Sequence, residues 1–221
     1  MNILLSWSSG KDSAWALHRL NQTHPGAVGG LLTTMNEAAG RVAMHAVRES
    51  LVQAQAGAAG LPLHLVRIPS PCSNDVYAAR MAAFLREAVD GGYTHVAFGD
   101  LFLEDVRAYR ETNMKDSGLD TMFPLWGEPT AALAEEMIDA GLRACLTCVD
   151  PRKIDASYAG RAFDRTLLAD LPSGVDPCGE NGEFHSFVWD GPMFARPINI
   201  KPGVIVERDG FVFADVIGAD D

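Results

Sequence analysis

Positive charge is scarce in this chain: 18 lysines and arginines stand against 29 aspartates and glutamates, a net charge of −11, and the cations never gather into a run. A field of that sign repels phosphate backbones, so nucleic acid is not an expected partner. No apolar run approaches the roughly 20 residues that cross a bilayer. The start, Met1-Asn2-Ile3, carries no cationic segment. We therefore expect no membrane attachment and a cytoplasmic location. Cysteine is sparse as well, with Cys72, Cys145, Cys148 and Cys178 only. No second pair follows Cys145 and Cys148 at zinc-ligand spacing. A strand there would send the two thiols to opposite faces, which suits buried small residues better than a metal or redox centre. Internal repeats and low-complexity segments are missing. With 48% hydrophobic and 21% charged residues, the 221-residue chain has the composition of one folded unit with two lobes.

What is present is alternation. Apolar runs at residues 3–7, 27–33, 63–68, 95–98 and 144–149 read as strands buried on both faces, as parallel sheets require. Between them lie helix candidates at 12–20, at 45–59 with Gly60 as the stop, from Ser73 to Gly91, and from Pro129 to Gly141. This order predicts an α/β fold with a doubly wound, mostly parallel, Rossmann-like sheet, whose ligands sit beyond the carboxyl ends of the strands. After Asp150 the pattern changes to a helix near 156–168, a Gly/Pro/Cys-rich loop at 172–182, and strands at 184–189, 198–206 and 211–217. Arg208-Asp209-Gly210 signals a hairpin between the last two. We expect a nucleotide-binding domain over 1–125 and a smaller C-terminal α+β lobe over 126–221.

The first strand runs into Ser8-Ser9-Gly10-Lys11-Asp12-Ser13 and then into a helix. Backbone N–H groups, hydroxyls and an ammonium at a helix N-terminus make an anion site. It is not a Walker loop, which would need glycine where Leu5 stands and Ser or Thr where Asp12 stands. The stretch instead resembles the Ser-Gly-Gly-Lys-Asp-Ser loop of the PP-loop ATP pyrophosphatases, with Ser9 in place of the first glycine. Further segments, "FGDLFLEDVRAYRE", "FPLWGEP", "IDAGLRACLTCVD" and "GVDPCGENGEFHSFVWDGPMF", are similar in order and wording to the diphthine-ammonia ligase family, a branch of that superfamily. Phe184 and Ser186 stand where that family has tyrosine and threonine.

The resemblance implies ATP-dependent amidation with Mg²⁺: a carboxylate is adenylated, pyrophosphate leaves, and ammonia displaces AMP. In the namesake reaction the carboxylate is that of diphthine on an elongation factor, and the acceptor here is a protein or small-molecule carboxylate. Ser8, Ser9, Gly10, Lys11, Asp12 and Ser13 are assigned to the phosphates, with Asp12 either holding Mg²⁺ or orienting the lysine. Gly99 and Asp100 follow a strand and face the ligand edge, where the carboxylate can hold Mg²⁺ or ribose. Thr33, Thr34 and Met35 end the second strand at the usual place for adenosine contacts, and Met44 and His45 can line the same pocket. Glu104 and Arg107 are candidate substrate contacts. Glu180, Asn181, Glu183 and His185 share a glycine-rich loop and can bind the acceptor, hold ammonium or deprotonate it.

Met1-Asn2 offers no N-terminal cysteine nucleophile and no length is spare for a glutaminase domain, so free ammonia or a separate subunit is the expected nitrogen source. A homo-oligomer is compatible with the sequence. Two other readings remain: a tRNA-modifying enzyme of the same superfamily with sulfur on Cys145 or Cys148, and an ATP-binding regulator without turnover.

Overall fold

The computed structural model describes residues 1–42 and 45–219. Six strands form the first sheet: β1 (Ile3–Ser6), β2 (Val28–Asn36), β3 (Arg41–Val42), β4 (Leu63–Ile68), β5 (His95–Ala97) and β6 (Asp120–Met122). β1 lies between β2 and β5, β4 flanks β2, and β6 flanks β5, all parallel; only the short β3 runs antiparallel, against the end of β2. The chain thus builds outward from β1 on one side, then returns to β5 on the other. The strand order reverses at β1 and β5, where a crevice opens.

Successive strand residues point to opposite faces. Ile3 and Leu5 join α1 (Lys11–Thr23) and α2 (Glu49–Ala59) in one buried cluster. Leu4, with Leu32 and Val96, packs instead on α3 (Asn74–Asp90) and α4 (Glu104–Met114). Helices therefore cover both faces, as a doubly wound sheet demands. Ser73 caps α3 by accepting from the Val76 N–H, and Gly60, at φ 69°, closes α2 in the left-handed conformation.

The run at 144–149 does form a strand, β7 (Arg143–Val149), but not in the parallel sheet. After α5 (Thr130–Asp139) it enters an antiparallel sheet with β8 (Phe184–Asp190), β9 (Ile200–Arg208) and β10 (Phe211–Gly218), in the order β8-β7-β10-β9. β7 is central and almost wholly buried, so its apolar run looks like that of a parallel strand. Arg208 pairs with Phe211 across Asp209 and Gly210, both at positive φ, which is the expected hairpin. Of the helix expected at 156–168 only the ends are helical. A 3₁₀ turn spans Ala156–Tyr158 and α6 spans Arg165–Asp170, and Asp164 caps α6 by accepting from the Leu167 N–H at 2.8 Å. Between them Gly160 takes φ 83° and the Phe163 N–H bonds to the Ala144 carbonyl, which pulls this stretch onto β7.

The helix expected at 45–59 begins only at Glu49. Ala46 is left-handed at φ 56°, Arg48 is extended, and Arg41 and Arg48 both grip Asp215 of β10, at 2.7 and 2.5 Å. These ion pairs hold the His45 segment against the second sheet. Met44 lies outside the described residues. No helix among the described residues is long and apolar enough to cross a membrane.

Candidate functional site

A cavity of about 680 Å³ opens at the carboxyl ends of β1, β2 and β5, roofed by α3, α4 and the 179–186 loop of the second sheet. One wall is the loop between β1 and α1. Its backbone is set by Ser9, which adopts φ 73°, the conformation that a glycine would take without strain. The surroundings over-determine this geometry. The Ser9 carbonyl accepts from the Gln55 side chain at 3.0 Å and from the Val188 N–H at 3.1 Å, and Gln55 also reaches the Trp7 indole and the Val188 carbonyl. The Ser9 hydroxyl is fully buried and has no hydrogen-bond partner among the described residues. Ser9→Gly should therefore raise stability by about 1 kcal/mol, or about 2–4 °C in Tm. A thermal melt checks this, and an unchanged or lower Tm would mean that the serine conformation is not strained.

The rest of the loop is tied both to itself and to the second sheet. The Gly10 N–H donates to the Ser8 hydroxyl at 3.3 Å, and the Ser13 hydroxyl donates to the Gly10 carbonyl at 3.0 Å. The Lys11 N–H donates to the Ser186 hydroxyl of β8 at 3.1 Å. Two of the helix-start N–H groups that the sequence would leave open for an anion are thus satisfied by serines. Close approach explains both glycines nearby. A Cβ on Gly10 would stand 2.9 Å from the His45 ring, and one on Gly99 would stand 2.9 Å from the Asp12 backbone.

Lys11 is only 2% exposed. Its ammonium donates to both Asp12 carboxylate oxygens, at 2.9 and 2.8 Å, and to the Cys178 carbonyl. Burial opposes its charge, but the Asp12 carboxylate, with Glu180 adding to it, more than offsets that, so its pKa lies above the usual lysine value. Facing it, Glu180 accepts from the Leu101 N–H at 2.8 Å, and burial pushes its carboxyl up to about 7. The His45 and His185 rings lie against each other, centres 4.5 Å apart and tilted by 38°, and the His45 ring lies 3.2 Å from the Ser186 carbonyl. Burial holds His45 well below the ordinary histidine value and His185 at about 4, so both rings are neutral at pH 7.

Ser8, Lys11, Asp12, Ser13, Thr34, His45, Gly99, Asp100, Glu180 and His185 all line the cavity. Ser9 and Gly10 shape it from behind. Thr33 and Met35 do not reach it: the pleat turns them to the opposite face, where the Thr33 hydroxyl bonds the Trp7 carbonyl at 2.7 Å and Met35 is core. Glu104 is exposed at the start of α4. Arg107 is drawn away by Glu111 at 2.8 Å and stacks on Phe123 and Trp126. Arg110, one turn further along the helix, meets the cavity instead, 3.4 Å from Asp100 and over the Phe98 ring. Glu183 is buried beneath its loop, and its carboxylate accepts from the Asp176 N–H at 3.1 Å and the Asn181 amide at 3.2 Å. Neither Glu183 nor Asn181 lines the cavity.

Sequence reasoning missed Arg110, Gln55 and Ser186. Gln55 had a signal, a lone amide on the apolar face of α2 beside Leu51, Val52 and Ala56. Arg110 had none without the register of α4. Among the described residues no three His, Cys, Asp or Glu side chains gather as metal ligands. Mg²⁺ bound through phosphates needs only one or two carboxylates; Asp100 on the cavity meets that requirement, whereas both Asp12 oxygens already accept from Lys11. Burial pushes the Cys145 and Cys148 thiols to about 12.

Family profiles described as the diphthamide synthase N-terminal and C-terminal domains match residues 1–121 and 129–214. Proteins named diphthine–ammonia ligase from Bos taurus and Homo sapiens are each 26% identical over 147 residues, covering 64% of this chain and 54% of theirs. The chain spans about half the length of these curated relatives. A solved structure of a predicted subunit of tRNA methyltransferase from Methanocaldococcus jannaschii aligns with 90% of this chain and 100% of that one, at a TM-score of 0.45 and 16% identity.

Proposed function

The chain belongs to the diphthamide synthase family, and on that premise we propose that it is an ATP-dependent amide ligase acting on a carboxylate acceptor with ammonia. The observation that carries this reading is one cavity in which the Lys11 loop of the first sheet faces Glu180 and His185 of the second. A mere nucleotide sensor would have no use for the second wall.

The geometry supports the following roles. Ser8, Ser13 and Lys11 cradle the phosphates of ATP, and Asp12 keeps Lys11 aimed and charged. Asp100 would hold Mg²⁺, which when bound neutralises charge on the departing pyrophosphate, since both Asp12 oxygens are taken by Lys11. Thr34 lies at the end of β2, where the nucleoside would rest. Arg110, steadied by Asp100, is the cation best placed to receive the acceptor carboxylate. Neutral His45 and His185 close the site near the Ser186 carbonyl without adding positive charge against the ammonium. A sulfur-carrying tRNA enzyme is disfavoured, because thiols held near 12 are poor nucleophiles at neutral pH.

The test is to incubate the protein with ATP labelled at the α phosphate, Mg²⁺, ammonium, and protein or small-molecule fractions of a cell extract. Label passing to AMP with the protein fraction supports a macromolecular acceptor such as an elongation-factor diphthine. AMP with the small-molecule fraction supports a metabolite. Label staying in ATP, or moving only to ADP, rejects α–β cleavage.

A further inference from the structure

The Lys11 ammonium is enclosed in a cage of oxygens and aromatic rings. Three oxygens accept from it: both of the Asp12 carboxylate, at 2.9 and 2.8 Å, and the Cys178 carbonyl. The rings of Phe184 and Phe163 present their faces at 5.5 and 5.8 Å, and Glu180 adds attraction. Carboxylate and carbonyl oxygens between aromatic faces are what a small, nearly naked N–H cation seeks. The head of a lysine and an ammonium ion carry the same charge and the same kind of N–H donor, three against four, so a cage that holds Lys11 also suits the smaller ion.

We propose that this cage is the ammonium site of the amidation, filled by Lys11 when no nucleotide is bound and yielded to ammonium when the ATP phosphates draw Lys11 toward them. The proposal rests on the ligase reading above. Ammonium then takes over the Asp12 oxygens and the Cys178 carbonyl that Lys11 has vacated, so one cation replaces another. Binding is then ordered, with ATP ahead of ammonium, and an empty enzyme excludes ammonium with its own side chain. Ammonium in the cage gives one proton to the Glu180 carboxylate. The nitrogen lone pair forms the C–N bond to the acyl carbon, the C–O bond to AMP breaks, AMP leaves with that electron pair, and the second proton passes to water.

The decisive experiment melts the wild-type chain with Mg²⁺, with and without α,β-methylene ATP, in ammonium, sodium and tetramethylammonium chlorides at equal ionic strength. Ammonium alone should raise Tm by about 2–4 °C, and only when the nucleotide analogue is present. Lys11→Ala should show the ammonium-specific rise without any nucleotide, and Phe163→Leu should lose it. Equal responses to the three salts, or an ammonium-specific rise in wild type without nucleotide, would overturn the proposal. If Lys11→Ala does not fold, the wild-type comparison decides alone. A chain that makes AMP from ATP, acceptor and ammonia yet shows no ammonium-specific shift sinks the cage and leaves the ligase reading intact. No AMP with any acceptor, alongside an ammonium-specific rise in Lys11→Ala, sinks the ligase reading and keeps only the cation cage.

Discussion

Lys11→Ala is expected to lower AMP formation by about 10²-fold or more, the cost of removing a fixed charge from a transferring phosphate. The lysine starts the first turn of α1, is almost wholly buried, and is held charged by Asp12, so its ammonium is charged and desolvated before any substrate arrives. A charge already stripped of water costs little further desolvation when the phosphates draw it in. Lys11→Arg should restore less than a tenth of the lost rate, since a planar guanidinium does not fit the space between Phe163 and Phe184 that a compact ammonium fills. Initial rates of AMP release measure both variants, with a thermal melt to separate folding from catalysis. Unchanged AMP formation in a folded Lys11→Ala would remove the residue 8–13 loop from the phosphate site.

The strand, loop and helix around Lys11 were legible because each level of the sequence agrees there: an apolar run, then small hydroxyl residues and glycine, then an amphipathic stretch. Ser9 departs from the glycine pattern, yet Gln55 and Val188 hold it in the glycine conformation, so tertiary contacts override a local preference. Thr33, Thr34 and Met35 illustrate a different limit. Their position at the end of a strand could be read, and alternation alone would have said that only one face meets the ligand. Which face that is depends on where α3 packs. Arg107 and Arg110 differ for a similar reason. A helix start displaced by a residue or two rotates a whole charged face, and here Phe123 and Trp126 capture Arg107. The antiparallel placement of β7 was hidden because burial on both faces erases the alternation that distinguishes the two kinds of sheet.

Glu183→Ala is expected to lower Tm by about 4–8 °C, roughly 2 kcal/mol, and to take activity down with it. The sequence offers two carboxylates in one glycine-rich loop and no means of ranking them; the structure separates them by direction. Glu180 looks into the cavity, while Glu183 looks down and accepts from the Asp176 N–H and the Asn181 amide. Asp176 in turn accepts from the Glu180 N–H at 2.8 Å, so Glu183 positions the loop that presents Glu180 and the Cys178 carbonyl. Truncation leaves a buried N–H without a partner, a cost of about 1–3 kcal/mol, only partly relieved by removing the second Glu183 oxygen, which has no partner among the described residues. Glu183→Gln keeps a carbonyl oxygen for the Asp176 N–H and should recover more than half of both Tm and turnover. Parallel recovery of the two readouts is the mark of a positioning residue. A Glu183→Ala chain with native Tm, intact nucleotide binding and no amidation would instead put this carboxylate on the substrate and reverse the assignment of the two glutamates.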